Sequence, residues 1–212
     1  FDFLWPMDTV MINSDSRHLL DISVVIPCFN AADTLGEQLE ALATQEYDGR
    51  WEVVVVDNRS TDEPQRVIDQ YIDRFDNLRM VSATEGRGCA YARNVGAAQS
   101  NGESLLFCDA DDVVSTGWLG NMAKGLVEND FVTGPTESSM INPGITRTKR
   151  RSTVRVWDYL PFLPHAIGGN MGIKARLHEA IGGFDETLLS AEDVDYSWRI
   201  KLEHSVDPIF LP

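Results

Sequence analysis

The chain has 212 residues, 43% of them hydrophobic and 24% charged, and a formal net charge of −15. That length suits one α/β domain with a core large enough to need no disulfide staples. The acidic balance excludes general nucleic-acid binding, which needs Lys and Arg against phosphate, and no apolar run approaches the roughly 20 residues that span a bilayer.

Three cysteines, Cys28, Cys89 and Cys108, are odd in number and lack C-x-x-C spacing. They are expected to be buried, reduced thiols of a cytosolic protein. No signal peptide is visible. The chain begins with Phe1 and ends in the strand-like "PIFLP", and reads as a piece of a longer protein.

Residues 1–20 show no clear period and read as an N-terminal extension. From Asp21 onward strands alternate with helices. Apolar runs at 22–27, 51–57, 78–82, 104–109 and 130–134 predict short buried strands. Between them, Leu35, Leu39 and Leu42 mark one helix and Val67, Ile68, Tyr71 and Ile72 another, expected over 62–74 with Asp62 as its cap. A small-residue helix is expected over 88–99, and Trp118, Met122 and Leu126 mark a fourth. Such alternation implies a mainly parallel sheet with both faces covered.

Residues 135–165 read as a long excursion rich in Pro, Gly, Ser and Thr. A glycine-bearing strand is expected over 166–174 and a short helix ending in a glycine turn over 179–186. An amphipathic helix is expected over 190–203, with Val194, Trp198 and Leu202 inward.

In open α/β sheets ligands bind beyond the carboxyl ends of the strands. Asn30 falls just past the first strand; Asp57 ends the second, with Asn58, Ser60 and Asp62 after it; Asp109, Asp111 and Asp112 end the fourth. Three strands thus bring polar groups to one edge. The turn "PCFNAAD" after the first strand has no glycine, which argues against a dinucleotide site. A cation neutralising a diphosphate suits these residues better. Mg²⁺ and Mn²⁺ take one or two carboxylates plus phosphate oxygens, and residues two apart on an extended strand end point the same way. Asp109-Ala110-Asp111 offers that pair.

The stretches "SVVIPCFNAADTLGEQLEAL", "EVVVVDNRSTD", "GRGCAYARNVGAAQSNGESLLFCDADD", "GGNMGIKARLHEAIGGFDE" and "AEDVDYSWRI" together resemble glycosyltransferase family 2. The resemblance implies a GT-A fold over residues 21–212, with a nucleotide-binding half at about 21–134 and an acceptor half at about 135–212. It implies a nucleotide-sugar donor (UDP in most members), a carbohydrate or lipid-linked acceptor, and Mn²⁺ or Mg²⁺. Pro27 and Asn30 would line the nucleotide pocket, Asp57 would meet the base, and Arg93 would sit beside the nucleotide. Asp109 would contact ribose or metal waters, and Asp111 would ligate the metal. Gly169 and Asn170 would border the donor sugar and acceptor. Asp193 would be the general base of an inverting transfer, with Glu192 positioning hydroxyls. A metal-binding His of the family would fall past the last strand, beyond Pro212, and His204 comes too early for it.

Plainer readings stand beside these. Asp57 also suits a turn cap, Glu192 and Asp193 suit helix N-terminal acids, and Asp185 suits a turn. An aspartate-nucleophile phosphatase also places D-x-D after an apolar strand, though on its first core strand; a non-catalytic nucleotide-sugar-binding module is a further alternative. The basic run Arg147, Lys149, Arg150, Arg151 and Arg155 reads either as a solvated loop or as a contact for an anionic acceptor at the cytoplasmic face of a membrane.

Overall fold

The computed structural model describes residues 20–137 and 163–212. The extension before Leu20 and the basic run at 147–155 lie outside the described residues.

The first half runs β1 (Leu20–Cys28), α1 (Ala32–Ala43), β2 (Trp51–Asp57), α2 (Gln65–Tyr71), β3 (Leu78–Ser82), α3 (Cys89–Ala98), β4 (Gly102–Cys108) and α4 (Trp118–Glu128). The second half adds β5 (Phe131–Thr133), β6 (Asn170–Lys174), α5 (Ala175–Ala180), α6 (Glu192–His204) and β7 (Ile209–Phe210). All seven strands join one sheet in the order β3-β2-β1-β4-β6-β5-β7. Strands β1 to β4 pair in parallel, as do β5 and β7, while β6 is antiparallel to both neighbours.

Side chains of a strand alternate between faces, and the valine-rich strands feed two cores in that way. Val24, Ile26, Val53 and Val55 pack with Leu35, Leu39, Leu42, Met122 and Leu126 under α1 and α4. Val25, Val54, Val56 and Phe107 pack on the other face with Phe184, Tyr196 and Ile200. Continuous apolar runs were needed because both faces are covered.

The register brings the site together. Cys28 pairs with Asp57, so β1 and β2 end level. Because β6 runs against β4, its first residue, Asn170, pairs with the last of β4, Cys108. The segment entering β6 therefore shares an edge with the exits of the parallel strands.

Four expectations are corrected. The strand at 166–174 begins only at Asn170, because the Ala166 and Gly168 N–H groups bond to Ser197 Oγ and Asp193 Oδ2 instead of a strand. The helix at 179–186 lies earlier, over Ala175–Ala180, with Gly182 and Gly183 in the turn. Asp62 caps a different helix: its Oδ2 accepts the Ala32 N–H at the start of α1, at 2.8 Å. On α6 the inward residues are Tyr196, Ser197 and Ile200, whereas Leu202 is 70% exposed. Docking of Asp193 and Ser197 onto residues 166–168 sets that helical phase, one step from the one its apolar residues suggest.

Candidate active site

A cleft of about 860 Å³ opens at the carboxyl edge of the parallel strands, lined by Pro27, Phe29, Asn30, Asn58, Arg59, Arg87, Cys89, Asp109 and Asp111 among others. The loops after β1 and β2 are tied together across it. Asn30, at φ 49°, accepts the Thr61 N–H on Oδ1 at 2.8 Å, while its own N–H donates to Ser60 Oγ at 3.0 Å. Asp57 caps that same turn, Oδ1 accepting the Ser60 N–H at 2.9 Å. Asn58 is buried and ties in the next loop, donating to the Ala83 carbonyl and accepting the Gly88 N–H at 3.0 Å. The sequence puts Asn58 at this edge by its position after Asp57 but assigns it no role, and Arg87 is not singled out there.

The acids after β4 are braced from α1. Buried Gln38 donates to the Asp109 carbonyl at 3.3 Å and accepts the Val114 N–H at 2.9 Å. Asp111 is exposed on the cleft. Asp109 is partly buried, and its Oδ1 pairs with Arg93 at 2.9 Å. Asp112, left out of the expected ligands, stands close by. A Cβ on Gly169 would lie 2.6 Å from Asp109 Oδ2 and 3.0 Å from Asp112 Oδ2. Burial, then repulsion from Asp109 and Asp111, pushes the Asp112 carboxyl up to about 6.

From the other side come Glu192 and Asp193, at the head of α6. Glu192 Oε1 pairs with Arg93 at 2.8 Å. Asp193 Oδ2 accepts the Gly168 N–H at 3.0 Å and its Oδ1 the Val194 N–H at 2.8 Å. Arg93 thus lies between Asp109 and Glu192. It is 2% exposed and absent from the cleft lining, where the cations are Arg59 and Arg87. Asn170 is buried at the same edge: its amide accepts from Trp118 Nε1 and donates to the Pro135 carbonyl, both at 2.8 Å.

Cys28 and Cys108 are buried, but Cys89 is exposed on the cleft, correcting the expectation of three buried thiols. Surrounding protein atoms, outweighing the nearby Arg93, push its thiol up to about 12, so it stays protonated.

Among the described residues no three His, Cys, Asp or Glu side chains group to hold a metal by themselves. Asp109 and Asp111 both line the cleft and could together offer two carboxylates. Such a pair fits a hard cation whose other ligands are phosphate and water.

The sequence profile of Glycosyl transferase family 2 matches residues 23–182. The chain belongs to that family. Glycosyltransferase AglE of Haloferax volcanii is 30% identical over 183 residues, 84% of this chain and 60% of that protein. An uncharacterized glycosyltransferase of Haemophilus influenzae is 29% identical over 198 residues, 88% of this chain and 64% of its own. The chain therefore spans under two thirds of the length of these relatives. Among solved structures, the mannosyltransferase PcManGT from Pyrobaculum calidifontis, in complex with GDP-Man and Mn²⁺, superposes with a TM-score of 0.72 at 25% identity, covering 92% of this chain and 57% of that one. Residues 1–349 of S. aureus TarS, in complex with UDP-GlcNAc, give 0.67 at 25% identity, covering 91% and 56%. The expected fold class is the observed one: an α/β, GT-A glycosyltransferase domain with a mostly parallel sheet. Family membership removes the phosphatase reading, and β4 is not the first core strand. No described helix is long and apolar enough to cross a membrane.

Proposed function

We propose that the domain moves a sugar from a nucleotide-diphosphate sugar, a UDP-sugar in the first instance, to an acceptor hydroxyl with inversion. The observation that carries this reading is the meeting of two sets of acids across one guanidinium. Arg93 binds Asp109, from the donor edge of β4, and Glu192, from α6, at 2.9 and 2.8 Å. The TarS and PcManGT complexes with UDP-GlcNAc and GDP-Man lend support for a nucleotide sugar in such a cleft.

In this reading Pro27, Asn30 and Asp57 receive the base and ribose, and Arg87 faces the diphosphate. Asp111 and Asp109 would hold Mn²⁺ or Mg²⁺, which when bound stabilises negative charge on the leaving nucleotide diphosphate. Asp193 takes the proton from the acceptor hydroxyl as its oxygen attacks the anomeric carbon; the bond to the diphosphate oxygen breaks on the opposite face. Glu192, fixed by Arg93, positions hydroxyls beside it. Gly169 and Asn170 shape the wall between donor sugar and acceptor, Gly169 by adding no side chain and Asn170 by pinning the entry to β6. The division into a nucleotide half and an acceptor half follows the same line, with β6 returning the chain to the shared edge. The acceptor is a carbohydrate or a lipid-linked acceptor, and the basic run at 147–155 is a candidate contact for it at a membrane surface.

The test is thermal unfolding against a panel of UDP-, GDP- and other nucleotide sugars, with and without Mn²⁺. Ligands that bind only the folded state raise its midpoint. A rise for one nucleotide family, larger with Mn²⁺ present, is expected. No rise for any member, at concentrations well above ordinary dissociation constants, would sink the reading.

A further inference from the structure

The family resemblance implies Arg93 beside the nucleotide, but its surroundings argue otherwise. It is buried and does not line the cleft among the described residues, and each terminal nitrogen donates to a carboxylate. Its guanidinium lies 5.5 Å over the Phe184 ring. On another side it meets the backbone of Gly168, where a Cβ would fall 2.7 Å from each terminal nitrogen. Gly168 is the residue whose N–H holds Asp193. One cation therefore touches the donor-edge acid, an acid of the catalytic helix and the backbone that orients the other.

We propose that Arg93 is a positioning residue: a buried planar clamp that keeps the donor acid Asp109 and the α6 acids in mutual register without touching the nucleotide. This rests on the reading that those acids serve the two ends of one transfer. Two observations favour it over a simple core ion pair. Arg93 Nε is buried with no hydrogen-bond partner among the described residues, although buried donors are nearly always satisfied. The orientation of the fork thus follows the two carboxylates, at the expense of its third donor site. The partners are also 16 and 99 residues away in sequence, so the clamp joins the two halves of the chain. A lysine would supply charge but not a rigid two-pronged fork. Burial disfavours the charge, while the paired carboxylates of Asp109 and Glu192 favour it, and Arg93 stays protonated.

The experiment compares Arg93→Lys, Arg93→Met and Glu192→Gln with the parent chain. It measures UDP affinity by calorimetry without Mn²⁺, turnover of a UDP-sugar, and amide hydrogen exchange. That UDP affinity is expected within about threefold of the parent, with kcat down about 100-fold, the cost of small misplacement at a reacting centre. Exchange should rise over residues 166–169 and the first turn of α6 but not over β1 to β3. If the Arg93 variants do not fold, Glu192→Gln, which cuts one arm only, must show the same exchange pattern. A tenfold or greater loss of UDP affinity with kcat kept would make Arg93 a nucleotide ligand and overturn the proposal. Unchanged exchange at 166–169 would overturn it too. A parent chain that neither binds UDP nor turns over a nucleotide sugar would fail the glycosyltransfer reading instead, leaving exchange to judge the clamp.

Discussion

Asp193 is tied to Gly168, its Oδ2 accepting that residue's backbone N–H at 3.0 Å. The head of α6 carries three acids, Glu192, Asp193 and Asp195. Glu192 is paired with Arg93 and Asp195 with Arg199, each at 2.8 Å. Asp193 is held by main-chain N–H groups instead. Ser197 completes the fixture, donating to the Asp193 carbonyl at 2.7 Å and accepting the Ala166 N–H at 3.0 Å. Of the three, Asp193 is the one that no arginine pairs among the described residues, which is why the base role is proposed for it.

Asp193→Asn should therefore cut turnover by about 10²–10⁴, the usual worth of general-base assistance. The amide oxygen still accepts the Gly168 N–H, so the fold and nucleotide binding should hold. Steady-state turnover beside UDP calorimetry checks this; near-parental turnover would remove Asp193 from the chemistry.

Gly169→Ala should disturb the acids after β4. The added methyl would stand 2.6 Å from Asp109 Oδ2, too close to keep, and Asp109 is anchored on its other oxygen by Arg93. Relieving the clash means moving the carboxylate or the backbone, at about 1–3 kcal/mol by analogy with overpacked cores. The expected result is at least a tenfold (about 1.4 kcal/mol) weaker Mn²⁺-dependent nucleotide affinity. Binding equal to the parent chain would mean that Asp109 has room to yield.

The strands and the edge where polar residues converge were legible because both rest on short-range rules. Unbroken valines in "WEVVVVD" demand two covered faces, and Asp57 closes that run. What stayed hidden depends on contacts far apart in sequence. Asp62 looks like the cap of its own helix but serves α1, 30 residues upstream. The face of α6 could not be read from Val194, Trp198 and Leu202, because polar Asp193 and Ser197 fix its rotation. Arg93 shows the same limit: "ARNVG" marks a residue of interest, yet only the fold brings in Glu192, 99 residues on.

Asp112→Asn should stabilise the ligand-free chain. The carboxyl is raised from 3.8 to about 6 by burial and by Asp109 and Asp111, so ionising it in the folded state costs stability. That cost is absent below pH 3.8 and complete above about pH 6. The Asn variant should be more stable than the parent by on the order of 1 kcal/mol at pH 7.5, after allowance for solvent screening, with the gap narrowing by pH 5. Denaturant melts at the two pH values read it directly. A gap that widens on acidification would contradict the repulsion among these acids.

His178 should make the fold acid-sensitive. It is buried in the second core, its Nδ1 2.7 Å from the Tyr196 hydroxyl and its ring among Phe107 and Phe184. Burial, assisted by Arg199, drops its pKa from 6.5 to about 4. Above pH 6.5 the ring is neutral in both states and the shift contributes nothing. Below that, the unfolded chain takes up a proton that the folded one refuses, so stability falls with pH until about pH 4. Between pH 7.5 and 5 this group alone removes on the order of 2 kcal/mol. His178→Gln offers Tyr196 a polar partner that does not titrate in this range. Its stability should therefore change less across the interval, even if it starts lower. Parallel slopes for the two proteins in urea titrations at matched pH would show that another group sets the acid limit.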